Sequence, residues 1–232
     1  MFPFYFGYFD PTYIMLIPAI LFSLYAQSRI SSTFSRYLQV RSYKGITGAE
    51  AARIILDRNG LYDVPIEVIR GHLTDHYDPS RKVLRLSEDV YYGNSIASIG
   101  VAAHEAGHAL QHQSGYAPLS IRNSLVPVVN IGSNLSWVFI ILGFFMGFSA
   151  FINLGIWLFS GAVIFQLITL PVEYNASSRA IKQLEENYII DDDEVRGARK
   201  VLDAAALTYV AATLMAVSQL LRLLIITRDS RD

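Results

Sequence analysis

NSLVPVVNIGSNLSWVFIILGFFMGFSAFINLGIWLFSGAVIFQLITLPV, residues 123–172, contains no Asp, Glu, Lys, Arg or His. One bilayer crossing takes about 20 apolar residues, so the run is long enough for two helices. These are expected at roughly Val126 to Phe145 and Phe151 to Leu170, turning near Gly147 and Ser149. An apolar helix pair in the core of a soluble bundle is the alternative, and composition weighs against it. The 232-residue chain is 52% hydrophobic, and the excess is concentrated in a few runs rather than spread as in a soluble domain.

Outward from this hairpin, both ends of the chain carry further apolar runs. MFPFYFGYFDPTYIMLIPAILFSLYAQSR is apolar between Asp10 and Gln27, behind a cluster of Phe and Tyr that suits the membrane–water interface. It reads as an anchor rather than a cleaved signal peptide, because no Lys or Arg precedes Arg29 to make a positive leader. Ala204 to Ile226 is also long enough to span but holds Gln219 and Arg222, which leaves its topology open. Basic residues flank the spans on one side: Arg29, Arg36, Arg41 and Lys44 follow the first helix, Arg122 leads into the hairpin, and Arg179 and Lys182 follow it. By the positive-inside rule, residues of about 28–122 and 173–203 face the cytoplasm.

The formal net charge of −1 leaves no basic face for a nucleic acid, so none is expected as a partner. Cysteine is absent, so any metal must be held by His, Asp or Glu. In the polar region, TGAEAARIILDRNG reads as a helix. Thr47 and Glu50 make a capping box, Ala51, Ile54, Ile55 and Leu56 an apolar stripe, and Gly60 can cap the end. VPIEVIRG and RKVLRLS suit strands, with DPSR (Asp78 to Arg81) between Tyr77 and Lys82 as a turn. The fold expected is a mainly α membrane protein. Three to four transmembrane helices accompany a polar α+β region that carries a small antiparallel sheet. With no repeat or linker, residues 1–232 read as one domain. Its parts are a first membrane helix at about 11–28, a polar region at 29–122, the hairpin at 124–172, a helix at 173–203 and a last apolar helix at 204–227.

The polar region holds HEAGHALQH, His104 to His112. On a helix, His104 and His108 lie about 40° apart around the axis and about 6 Å apart along it, so both imidazoles can meet one ion. Zinc suits two imidazoles, and Glu105, beside the first ligand, is placed as general base for the water the ion activates. Ala106, Gly107 and Ala109 keep the helix surface small, which lets other elements approach closely. His112 is about 12 Å along the axis from His104 and falls out of reach. Six residues after His108 stands Ser114, which excludes a third histidine in the metzincin position. The third ligand must come from elsewhere. Glu173, where the charge-free run ends, competes with Glu185, Glu186 and the acidic run from Asp191, which reads more simply as a solvated helix start.

Taken together, HEAGHALQH, LTDHYDPSRKVLRLS and LPVEYNASSRA resemble the YugP-like family of membrane zinc metallopeptidases, similar in layout to the HtpX and Ste24 type. The resemblance implies that His104, His108 and Glu173 ligate one zinc ion per chain and that Glu105 is the general base. It implies an endopeptidase of the bacterial cell membrane acting on peptide bonds of membrane or membrane-proximal proteins, with lipid around its spans. It also implies a strand with a free edge for an extended substrate, here Val83, Leu84, Arg85, Leu86 and Ser87. Of His76, Tyr174, Arg179 and His112, His76 and Arg179 are the candidates to stabilise the oxyanion. An aspartate found just past the ligand glutamate in the HtpX and Ste24 type has no counterpart in Asn175, Ala176 or Ser177. Three alternatives differ. A non-enzymatic scaffold with a structural metal would want four protein ligands. An ion carrier would want ionisable residues in its spans, and only Arg222 qualifies. Cleavage within the bilayer would want a more apolar helix than IASIGVAAHEAGHALQHQSG.

Overall fold

The computed structural model describes residues 11–229; the aromatic cluster expected to form an interfacial belt lies outside them. A 3-10 turn over Pro11–Leu16 leads into α1 (Ile17–Leu38), followed by α2 (Gly48–Arg58), β1 (Ile66–Ile69), β2 (His76–Asp78), β3 (Val83–Ser87), α3 (Glu88–Tyr91), α4 (Ile96–Gln113), α5 (Ala117–Met146), α6 (Ser149–Glu186) and α7 (Asp192–Asp229). Four helical stretches are long and apolar enough to cross a membrane: Pro11–Leu38, Ala117–Met146, Ser149–Glu186 and Asp192–Thr227. The hairpin turns where expected, at Gly147, whose φ of +69° favours a residue without a Cβ.

The chain forms two compact units. One comprises Met1–Tyr25, Ser124–Leu167 and Val210–Asp232, as far as these are described; the other comprises Ala26–Asn123 and Ile168–Tyr209. In the first, α5 and α6 meet at small residues: a Cβ on Gly155 would stand 2.7 Å from the Ser136 carbonyl oxygen, and one on Gly143 2.8 Å from the Ile152 nitrogen. Arg222, the charge inside the last apolar run, is buried. Its guanidinium lies 3.7 Å from the Tyr13 ring centre, and its Nε donates to Thr12 Oγ1 at 3.0 Å.

The second unit carries the polar elements. α2 starts with the expected capping box between Thr47 and Glu50 and buries Ala51, Ala52, Ile55 and Leu56. This stripe joins Leu84, Leu86, Ile96, Ile99 and Leu184 in a core closed to solvent. α4 is capped by Ser95, whose hydroxyl accepts the Ser98 N–H at 3.0 Å. The Asp78 turn also forms: its Oδ1 accepts the Ser80 and Arg81 amides at 3.0 and 3.1 Å.

Two features of the sheet differ from expectation. It is mixed: β2 pairs antiparallel with β3, but β1 pairs parallel with it. The strand order is β1-β3-β2, so Val83–Ser87 is the middle strand and has no free edge. Leu84 and Leu86 are core residues with no exposure, and Arg85 bridges Glu67 and Asp78, each at 3.2 Å. The edge assigned to β3 therefore belongs to β2, whose outward Tyr77 amide meets α4.

Candidate metal centre

α4 presents His104 and His108 on one face, and α6 brings Glu173 to them. Glu173 Oε2 lies 3.3 Å from His104 Nε2 and 3.7 Å from His108 Nε2, and the three groups offer ligand atoms all within 4.8 Å of one another. Tetrahedral arms of about 2.0–2.1 Å would set donors roughly 3.4 Å apart, close to both distances from Glu173, and two imidazoles with one carboxylate are donors that suit zinc. Among the described residues no fourth His, Asp or Glu joins the group.

The far nitrogens of both rings are engaged. His104 Nδ1 is 3.1 Å from Ser177 Oγ, and His108 Nδ1 is 2.9 Å from Gln111 Oε1. Gln111, fully buried, is itself fixed by donating to the Val172 carbonyl and Asn175 Oδ1 at 2.8 and 3.0 Å. The Gln111 oxygen can only accept, so Nδ1 is the donor in His108, and in both rings the engaged Nδ1 leaves Nε2 turned to the cluster. Ser177 thus stands one turn after Glu173 and supplies the histidine partner that the missing aspartate left unassigned. Burial works against a charged His108, but the hydrogen bond and charge of Glu173, with the charge of Glu105, outweigh it and raise its pKa.

The close fit of α4 to α6 depends on Gly107. A Cβ there would stand 2.5 Å from the Ala176 carbonyl oxygen, in the turn that carries Glu173 and Ser177. The expectation that small residues open α4 to its neighbours is met at this contact.

Glu105 is 9% exposed, and its Oε2 accepts the Tyr77 amide N–H at 3.0 Å, so the edge of β2 holds the carboxylate beside the cluster. His112 stands apart from the three ligands, as the helix geometry requires. Its Nδ1 is hydrogen-bonded at 2.9 Å to the Tyr77 hydroxyl, whose pKa is pushed up to about 12, chiefly by burial.

Both candidate oxyanion donors have other partners. His76 lines the cleft, where its Nδ1 is 2.8 Å from the Thr74 carbonyl and its Nε2 faces the Arg85 guanidinium at 3.5 Å. Arg179 turns away: its Nε donates to Asn175 Oδ1 at 2.8 Å and its Nη1 to the Leu110 carbonyl at 3.4 Å, bracing the end of α4. Tyr174 is exposed, and His72 is an exposed partner of Asp89. The rival ligands are used elsewhere. Glu185 pairs with Arg199, and Glu194 accepts the Tyr43 and Asp191 amides as part of a helix start.

Two residues face the cluster whose part in it the sequence does not display. Arg122 Nη1 lies 3.6 Å from Glu173 Oε1, the oxygen turned from the histidines, and its Nε is buried without a partner. Arg122 and Glu173 are the charges that bound the charge-free run, and the fold brings them together. Tyr209 of α7 hydrogen-bonds Glu173. The cleft has two lobes that share Asp75, His104, Glu105, Glu173 and Tyr209. A polar lobe of about 170 Å³ adds His76, Tyr77, His108 and Arg122, and a larger lobe of about 350 Å³ lies against α1 and α7.

A His-His-Glu trio on two helices that could hold a metal ion, with an HExxH glutamate at its side, is the pattern of the zincin class of metallopeptidase. The chain belongs to the family described as "Putative neutral zinc metallopeptidase", whose family model matches residues 12–228. It is 53% identical over 218 residues to "Putative membrane protease YugP" of Bacillus subtilis (strain 168), covering 94% of this chain and 97% of that protein. No solved structure matches it.

Proposed function

We propose that the protein is a membrane-embedded zinc endopeptidase that cleaves membrane or membrane-proximal proteins, with its polar unit facing the cytoplasm. The observation that carries this reading is the trio itself. Two histidines and one carboxylate supply three ligands, with the Glu105 carboxylate beside them, where a structural zinc would be closed by a fourth. His104, His108 and Glu173 hold the ion, and zinc, when bound, polarises a peptide carbonyl and acidifies water towards a pKa of about 7.

The remaining chemistry belongs to the chain. Glu105 takes the proton of the attacking water and delivers it to the leaving amine, while the Tyr77 amide keeps one carboxylate oxygen oriented. Ser177 and Gln111 hold the imidazoles in the tautomer that ligates. Arg122 draws one oxygen of Glu173 away from the histidines, so that the carboxylate offers the ion a single oxygen. Arg122, whose guanidinium lines the polar lobe, is also the cationic donor there for charge developing on the substrate carbonyl. An extended substrate meets the outer edge of β2 in this lobe. The cytoplasmic orientation rests on the basic residues flanking the spans, and the membrane substrates on the apolar helices that share a chain with the site.

The test uses the purified full chain in detergent. Zinc-loaded wild type should cleave casein or an unfolded membrane protein, and Glu105→Gln should keep its zinc and lose cleavage. A wild type that binds no zinc, or a Glu105→Gln protein that cleaves as well as wild type, contradicts the reading.

A further inference from the structure

The two lobes of the cleft differ in chemistry. The larger one, about 350 Å³, is walled by Ile30 and Phe34 of α1, Val101 of α4 and Leu202, Ala205 and Ala206 of α7. Its charged lining residues are all ones it shares with the polar lobe, at the cluster. Asp75, one of these, is committed elsewhere: it accepts the Ser87 amide at 2.7 Å and the Ser87 hydroxyl at 3.0 Å. Away from the cluster the chamber's polar lining residues are Gln27 and Thr208, whose hydroxyl is taken up by the Ala205 carbonyl at 2.7 Å, and the rest is hydrocarbon. Its volume would hold about ten waters at 30 Å³ each, with few partners for their hydrogen bonds. It is also within the range of about 300–1,000 Å³ in which specific ligands are bound.

We propose that this chamber is the specificity pocket of the peptidase and takes a large apolar side chain, Phe, Leu or Met, next to the bond that is cut. The inference rests on the peptidase reading. A substrate carbonyl at His104, Glu105 and Glu173 has the polar lobe on one side and this chamber on the other, so an adjacent side chain must enter one of them. Only the apolar lobe has room for an aromatic ring without burying a polar group. Ala205 and Ala206 of α7 line the chamber, and a larger side chain at either would take up part of its space. The favoured sequences are those found inside folded or membrane-inserted segments, which suits an enzyme that acts on unfolded or dislodged membrane proteins.

Two arms test this. In the first, zinc-loaded wild type and Ala205→Leu cleave a peptide series that differs at one residue, with sites mapped by mass spectrometry. Wild type should favour Phe, Leu or Met over Gly by about tenfold or more, in keeping with at least about tenfold per methylene in an apolar pocket. Ala205→Leu should shift the preference towards Ala and Gly. In the second arm, zinc-loaded Glu105→Gln binds the same peptides uncleaved, measured by calorimetry, and Ala205→Leu in that background should compress the order. Ala206→Leu and the enlarging Val101→Ala provide the same comparison if Ala205→Leu fails to fold. Cleavage or binding with no apolar preference, or a preference unmoved by these variants, overturns the proposal. The latter result would point to a lipid chain as the chamber's occupant. If wild type cleaves nothing, the peptidase reading fails, and the binding arm still decides the chamber.

Discussion

α4 and α6 each contribute to the candidate metal centre, but by different means. α4 spans 18 residues, is capped by Ser95 and is buried along most of its length, so its histidines are positioned by close packing of small residues around them. α6 is 38 residues long, with a Pro at 171 and an apolar stretch before its one ligand. Glu173 is positioned by polar partners instead: the two histidines, Arg122 and Tyr209 surround a carboxylate that is 2% exposed. A ligand on a packed helix can be read from spacing. A ligand held by a ring of partners depends on the whole unit being assembled.

Predictions that separate the two helices run from large to small. The largest effect belongs to Glu105→Gln, which should lower cleavage by about 10²–10⁴-fold, the usual weight of a general base. Zinc content by atomic absorption should not change, because the residue holds no metal. Next comes the seam between the helices. Gly107→Ala forces a methyl onto the Ala176 backbone, which cannot give way as a flexible side chain can. It should cost about 1–3 kcal/mol in thermal or denaturant unfolding and should release zinc more readily. A variant as stable as wild type would mean that α4 and α6 do not approach this closely.

Smaller effects are expected from the partners of the ligands. Arg122→Gln and Ser177→Ala should each weaken zinc binding by roughly 10- to 100-fold, as loss of an orienting group does. Cobalt substitution should also show a changed visible spectrum for Arg122→Gln, because a carboxylate free to offer both oxygens alters coordination. An unchanged spectrum would remove Arg122 from its positioning role. The smallest effect belongs to Tyr77→Phe. It loses the hydroxyl bond to His112 but keeps the amide that holds Glu105, so stability should fall by about 1 kcal/mol while zinc content stays at the wild-type value.

The same contrast explains what could be read before folding. The hairpin, the capping box at Thr47, the Asp78 turn and the HExxH pair are local features whose spacing contains their geometry. The sheet order is not local. β3 looks like an available strand in sequence, and only the parallel pairing of β1 across it shows that both its edges are taken. Arg122 was legible as a basic flank of a membrane span, but its second role depends on meeting Glu173 across fifty residues that contain no charge. His76 and Arg179 stand out in the sequence by residue type and nearness to motifs, and each has hydrogen-bond partners that the sequence does not display. Ser177 and Gln111 sit four and three residues from a ligand, a signal that helical spacing offers and that polar neutral residues make easy to overlook.

Everything in the account depends on Glu173 being the ligand delivered by the return helix of the hairpin. Zinc stoichiometry of full-length wild type and Glu173→Ala, purified in detergent and dialysed against limiting zinc, tests this most directly. One zinc per wild-type chain and a much reduced content in Glu173→Ala are expected, with helical content by circular dichroism unchanged. A Glu173→Ala protein that keeps a full zinc complement would contradict the account and place the third ligand elsewhere.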